Sequence, residues 1–161
     1  MKQVNVGRFT TGNENDLVVF VIGMRINQWW AIHKWLPVLL AMPPMIKELY
    51  TNKQLGFHSL ESFPSFRTTF MIQYWRTSED LLAYARGNLH LTAWKKFNQL
   101  TRNNPSVGVY HETYLVPKGQ YESVYVNMPL FGLSRVKQPI ALTPETTSAD
   151  KRLKGTEKAA R

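Results

Sequence analysis

The chain has 161 residues, 43% hydrophobic and 12% aromatic, a composition that folds around a core and excludes a wholly disordered polymer. It carries no cysteine, which excludes disulfides, thiolate metal sites and a cysteine nucleophile. The formal charge of +9 is spread over the body as well as the end of the chain. No zinc-finger, helix-turn-helix or aromatic RNA-binding signature accompanies it, so nucleic-acid binding is not expected.

Residues 1–16 are polar, lack the apolar stretch of a signal peptide and read as an extended lead-in. Leu17 to Met24, LVVFVIGM, is a continuous apolar run suited to a strand covered on both faces. Residues 29–50 read as an interrupted helix. Pro43-Pro44 starts its second part, where Met42, Met45, Ile46 and Leu49 form an apolar stripe. The most apolar segment, Trp35 to Ile46, is flanked by Lys34 and Lys47 and falls short of the roughly 18 residues a spanning helix needs. A soluble, cytoplasmic chain is expected, with attachment to a membrane surface as an alternative that is not favoured.

Residues 56–61 and 67–75 read as a hairpin with Pro64 in its turn. Thr77 or Ser78 caps a helix that Gly87 closes, and a second helix runs from about His90 to Thr101. Val107 to Val116 and Tyr121 to Asn127 read as strands. The chain then divides into the lead-in, a folded domain over residues 17–133, and a polar basic tail over 134–161. The order β-α-β-β-α-β with one further strand is the ferredoxin-like split βαβ, an α+β sandwich with an antiparallel sheet and helices on one face. Its bare face needs a cover, which a second copy packed sheet to sheet supplies in a homodimer. The strand at 121–127 is the candidate for exchange between subunits.

The chemistry-bearing motifs are sparse. There is no Walker loop, dinucleotide glycine pattern, HExxH or G-x-S-x-G, and His33, His58, His90 and His111 have no metal-ligand spacing. Aromatic residues with a few polar companions stand out instead: Asn27, Trp29, Trp30 and Trp35; Tyr74, Trp75 and Arg76; His90 and Trp94; His111, Glu112 and Tyr114. A cleft lined this way suits a flat or greasy organic ligand. His111 and Glu112 are neighbours on one strand, so they face opposite sides and cannot pair as base and orienter. Each residue also has a plainer reading. The tryptophans serve as core or lid, His111 as a buried histidine held by a carbonyl, and His90 as a helix-terminus residue.

The segments GMRINQWWAIHKWLPVLLAMPPMIKEL, IQYWRTSEDLLAYAR, HLTAWKKFN, VGVYHETYLVPKGQYESVYVNMP and FGL resemble the fumagillin-pathway monooxygenase-like family. That family belongs to the dimeric α/β-barrel superfamily, near the antibiotic-biosynthesis monooxygenases. The resemblance implies a homodimer of ferredoxin-like subunits, each with a pocket between sheet and helices. It also implies a monooxygenase that oxidises a small hydrophobic or aromatic substrate with dioxygen and without cofactor or metal. In that reading His111 or His90 is the catalytic base, Asn27 and Trp30 orient the substrate, Trp75 forms the wall, and Arg25 and Tyr125 add substrate contacts. Haem is the alternative the superfamily offers, in haem-degrading or aldoxime-dehydratase form, because Asn27, Trp75 and His90 mimic the haem-degrading order. A third reading is a non-enzymatic module that binds a hydrophobic ligand or a membrane surface through residues 29–46, helped by Lys34, Lys47 and the basic tail.

Overall fold

The apolar run at 17–24 is the middle of a sheet. In the computed structural model, which describes residues 3–158, it lies in β2 (Leu17–Ile26). This strand pairs antiparallel with β4 (Thr68–Trp75) on one edge and β5 (Val107–Val116) on the other. Strand β3 (Phe57–Phe63) pairs with β4, giving the order β3-β4-β2-β5. This is the ferredoxin-like arrangement that the order of elements predicts. As the central strand, β2 packs against the helices through Val18, Met24 and Ile26, while Val19 and Val21 on the other face are only half-buried; apolar residues on both faces are why its sequence does not alternate.

Two helices follow β2, α1 (Ile32–Leu40) and α2 (Met42–Thr51), divided at Ala41. Pro43 and Pro44 sit in the first turn of α2, where a missing N–H costs nothing. Two more follow β4, α3 (Ser78–Ala85) and α4 (Asn88–Thr101). The Thr77 hydroxyl caps α3 by accepting from Asp80 N at 3.1 Å, and Glu79 and Asp80 lie in its first turn.

All four helices cover the same face of the sheet, over two separate cores. Near the Val18 end, Val18, Trp75, Leu49, Leu81 and Tyr84 pack together with Phe20 and Phe57. Near the Ile26 end, Met24, Ile26, Val38 and Val107 pack with Trp29, Trp35, Phe97 and Leu100.

A second sheet departs from the sequence reading. The lead-in carries β1 (Asn5–Thr11), which pairs antiparallel with β6 (Tyr125–Met128) and β7 (Pro139–Ala141) in the order β6-β1-β7. The expected strand at 121–127 therefore begins only at Tyr125 and joins β1 of its own chain. The segment read as a polar tail contributes β7 and also α5 (Ala149–Lys158). Arg152 of α5 donates to Glu122 at 2.6 Å, and Asn13 Nδ2 donates to the Arg152 carbonyl at 3.1 Å.

The residues after β6 lie against the helix-free face of the first sheet, at its β3–β4 side. Glu61, buried on β3, accepts from Gly132 N at 3.0 Å and from Arg135 Nη1 at 3.3 Å. Phe131 meets the ring of Phe63, which stacks on Phe70. On the β5 side of that face, Tyr110 lies across Gly23, where a Cβ would fall 2.4 Å from the tyrosine ring.

Candidate functional site

Register places a distinctive set of side chains between the two cores. Phe20 stands opposite Gln73 and Thr113, and Ile22 stands opposite Met71 and His111; residues directly opposite one another share a face. Phe20 only borders the first core, and Ile22 belongs to neither. The His111 ring lies 5.5 Å from that of Phe20, on an exposed edge strand. The helix-facing surface thus has an apolar middle with one imidazole at its rim.

Polar groups gather at the helix side of the first core. Glu48 comes from α2, Tyr84 from α3 and His90 from the first turn of α4. The Tyr84 ring is 5.4 Å from that of Trp75 and 5.3 Å from that of His90. Glu48 Oε2, Tyr84 Oη and His90 Nδ1 are buried and make no hydrogen bond of good geometry, although Tyr84 lies close enough to Glu48, and His90 to the Ala85 carbonyl, for each to feel its neighbour. Burial lowers the His90 pKa below the usual histidine value, opposed in part by the Ala85 carbonyl and the Glu48 charge. Burial, reinforced by Glu48, pushes the Tyr84 pKa well up. At neutral pH the imidazole and the phenol are both uncharged, a combination able to accept a proton and donate a hydrogen bond.

Among the residues singled out from sequence, His90 and Trp75 come together through Tyr84. Trp75 is fully buried, its Nε1 donating to Gln73 Oε1 at 3.0 Å and its ring between Phe57 and Tyr84. It supports the site from behind and presents no open wall. Asn27 lies nine residues along β2 from Val18, the partner of Trp75, a separation of about 30 Å at the strand rise. Its Nδ2 donates to the Pro105 carbonyl at 3.0 Å, stitching the end of β2 to the start of β5. The haem-like order Asn27, Trp75, His90 is therefore not assembled at one place.

The remaining residues are dispersed as well. Trp30, beside Asn27, is 78% exposed. Arg25 projects from the helix-free face, where Nη1 is 3.4 Å from Thr68 Oγ1. Tyr125 is on the second sheet, stacked on Phe9 at 5.1 Å, with its hydroxyl accepting from Ser134 N at 3.3 Å. Glu112 accepts from the Tyr114 hydroxyl at 2.6 Å on the face opposite His111.

Sequence reasoning passed over Glu48 and Tyr84. Glu48 adjoins the apolar stripe of α2, three residues after Met45 and one before buried Leu49. A carboxylate at that position is the signal that could have found it. Two open clefts lie elsewhere, at the Leu17 end of the sheet. One, of about 540 Å³, includes Asp16, His58, Arg76 and Lys137; the other, of about 290 Å³, includes Leu17, Arg76 and Val116.

Against this geometry, a family model described as Monooxygenase af470-like matches residues 17–133. The chain belongs to the Monooxygenase af470-like family. Monooxygenase af470 of Aspergillus fumigatus is 36% identical over 76 residues, covering 45% of this chain and 26% of that protein. The match thus spans about a quarter of the curated relative's length. Among solved structures, an aldoxime dehydratase is similar with a TM-score of 0.64 at 19% identity, over 84% of this chain and 43% of its own. A second, aldoxime dehydratase OxdRE in complex with butyraldoxime, gives a TM-score of 0.65 at 13% identity, over 80% and 42%. At such identities the likeness is one of fold: this af470-like chain corresponds to less than half of each dehydratase. Among the described residues no helix is long and apolar enough to cross a membrane.

Proposed function

We propose that this af470-like chain is an oxygenase acting without a cofactor on a small hydrophobic or aromatic carbon acid, held in the interval between its two cores. The observation that carries the reading is the convergence of Glu48, Tyr84 and His90, whose buried polar atoms make no hydrogen bond of good geometry, on the core against which the apolar Phe20 packs. Buried polar groups are ordinarily satisfied, and weakly engaged groups from three helices, drawn together at one place, suit a ligand's polar end. His90 takes a proton from an activated methylene of the substrate. The resulting anion passes electrons to dioxygen, Tyr84 supplies a hydrogen bond to the developing oxyanion, and the apolar surroundings exclude water. The methylene becomes a carbonyl: one oxygen atom stays on carbon, the other leaves as water with the two methylene hydrogens, and the substrate provides all four electrons. His111, at the rim beside Phe20, contacts the substrate's outer end.

A homodimer is part of this proposal. Val19, Val21, Ile72, Tyr110 and Tyr114 on the helix-free face remain half-buried or exposed, and the segment after β6 covers only the β3–β4 side. Light scattering of wild type and Val21→Asp tests it: a dimer is expected for the first and a monomer for the second.

The test of activity is oxygen uptake with a panel of anthrone-like and phenolic compounds. Turnover with at least one is expected, and His90→Ala should lower it about 100-fold, the lower range for loss of a general base, with the melting temperature followed so that loss of the base is told apart from loss of the fold. Equal rates in wild type and His90→Ala would overturn the assignment.

A further inference from the structure

We infer that the end of the molecule formed by the close of β2, the start of α1 and the β3–β4 turn docks on an anionic membrane surface. Three segments meet there. Ile26 N donates to the Arg67 carbonyl at 2.8 Å, Asn27 N and Gln28 N donate to the Ser106 carbonyl, and the ring of Trp29 lies 4.7 Å from that of Phe66. Trp30 and Phe66 are 78% and 80% exposed and Ile32 is 53% exposed. These are three large apolar side chains presented to water at one place, where soluble surfaces ordinarily keep them dispersed.

The charge of this end is one-sided. Arg25, Lys34, Arg67 and Arg102 are exposed, and among the described residues the ion pairs involve none of them. No Asp or Glu occurs in residues 17–47, 62–78 or 81–111, the stretches that build it. The first carboxylate along β5 is Glu112, five residues from Val107, about 17 Å away at the strand rise. Protruding aromatic side chains ringed by cations, with no carboxylate nearby, match the headgroup region of an anionic bilayer. There tryptophan and phenylalanine enter the acyl boundary and the cations meet lipid phosphates. A second copy of the chain fits poorly, because two such cationic ends repel. A nucleic acid uses aromatic stacking platforms but gains nothing from exposed Ile32. Such docking would bring a protein with an apolar interval to the phase in which greasy small molecules concentrate.

Co-sedimentation of the full chain with vesicles of phosphatidylcholine, with and without phosphatidylserine, tests the inference. Binding at least tenfold stronger to the anionic vesicles is expected, falling as salt is raised. Arg67→Gln and Arg102→Gln should each weaken it about fivefold. Trp30→Ser combined with Phe66→Ser should weaken it tenfold or more, with the melting temperature monitored to show that the fold is kept. Lys118→Gln, at the opposite end of β5, should change it little. No sedimentation, equal sedimentation with both vesicle types, or an equal loss in Lys118→Gln would overturn the inference. So would retention on a single-stranded oligonucleotide that competes with the vesicles.

Discussion

The ring of His90 meets that of Tyr84 nearly edge-on, with centroids 5.3 Å apart and planes at 65°, although a helix end and a helix start separate the two residues in sequence. An imidazole held this way is partly removed from water, and its pKa is depressed. The activity limb assigned to the base should therefore be flat above pH 6.5, the ordinary histidine value, and fall only as pH drops below it. A rate profile in buffers of constant ionic strength checks this. A limb above pH 7 would transfer the role away from His90.

The same shift has a signed consequence for stability. Burial lowers the folded-state pKa of both His90 and His58, and for His58 the charges of Arg76 and Lys137 add to the effect. The unfolded chain thus binds more protons than the folded one just below pH 6.5. Their contribution is full above that value and is lost as pH falls toward the folded values. Chemical denaturation at stepped pH should show the decline, and His90→Gln should flatten part of it.

Glu48 raises both of its neighbours. In Glu48→Gln the His90 pKa should fall further and the acid limb should move to lower pH, the expected direction when a nearby negative charge is removed. The Tyr84 phenol should ionise more readily in the same variant, read by ultraviolet difference titration. A limb that stays in place would show that Glu48 does not act on the imidazole.

Glu61 joins β3 to the segment after β6. Its carboxylate is buried and accepts from a backbone amide and a guanidinium, so Glu61→Ala leaves the Gly132 amide unpaired and Arg135 Nη1 with the Leu60 carbonyl alone. A loss of about 2 kcal/mol is expected, measured by urea denaturation. Gly132→Ala acts on the same junction. The glycine has φ +58°, and a Cβ would approach the Tyr74 hydroxyl at 3.3 Å, so a loss of about 1 kcal/mol is expected.

Trp75→Ala should behave as a core deletion, costing about 4 kcal/mol and orphaning the Gln73 carbonyl that accepts from Nε1. Trp75→Phe keeps most of the volume and should retain activity per folded molecule. A selective loss of turnover in Trp75→Phe at unchanged stability would give the indole a direct part in binding.

The sheet and its helices were legible because burial writes itself into the sequence. The apolar run of β2, the Met42-to-Leu49 stripe and the Thr77 cap each mark an element that the structure contains. The second sheet left less: only β6 falls in a segment read as a strand, and β1 and β7 left no comparable mark. Strand β1 buries only Phe9 among its apolar residues, together with Thr10 and Thr11, which are held by hydrogen bonds to Ser123, so its burial is mostly polar and its partners lie more than a hundred residues away. The site was half legible for a different reason. Sequence shows that Asn27, Trp75 and His90 occur in a suggestive order, but only strand direction shows that Asn27 and Trp75 occupy opposite ends of the sheet. Glu48 and Tyr84 fell inside helices already explained by packing, where a lone acid and a tyrosine add no periodic signal.

Strand β1 lies between β6 and β7, both encoded near the other end of the chain. During synthesis the ferredoxin-like unit can close once β5 has emerged, since every strand of its sheet is then available. Residues 5–11 must wait for residues 125–128 before one edge can pair, and for residues 139–141 before the other can. Closing so long a loop is entropically costly and slow, so an early-made strand with unpaired edges stays open to other chains throughout. The order of translation thus makes β1 the segment through which nascent copies of this protein would first entangle.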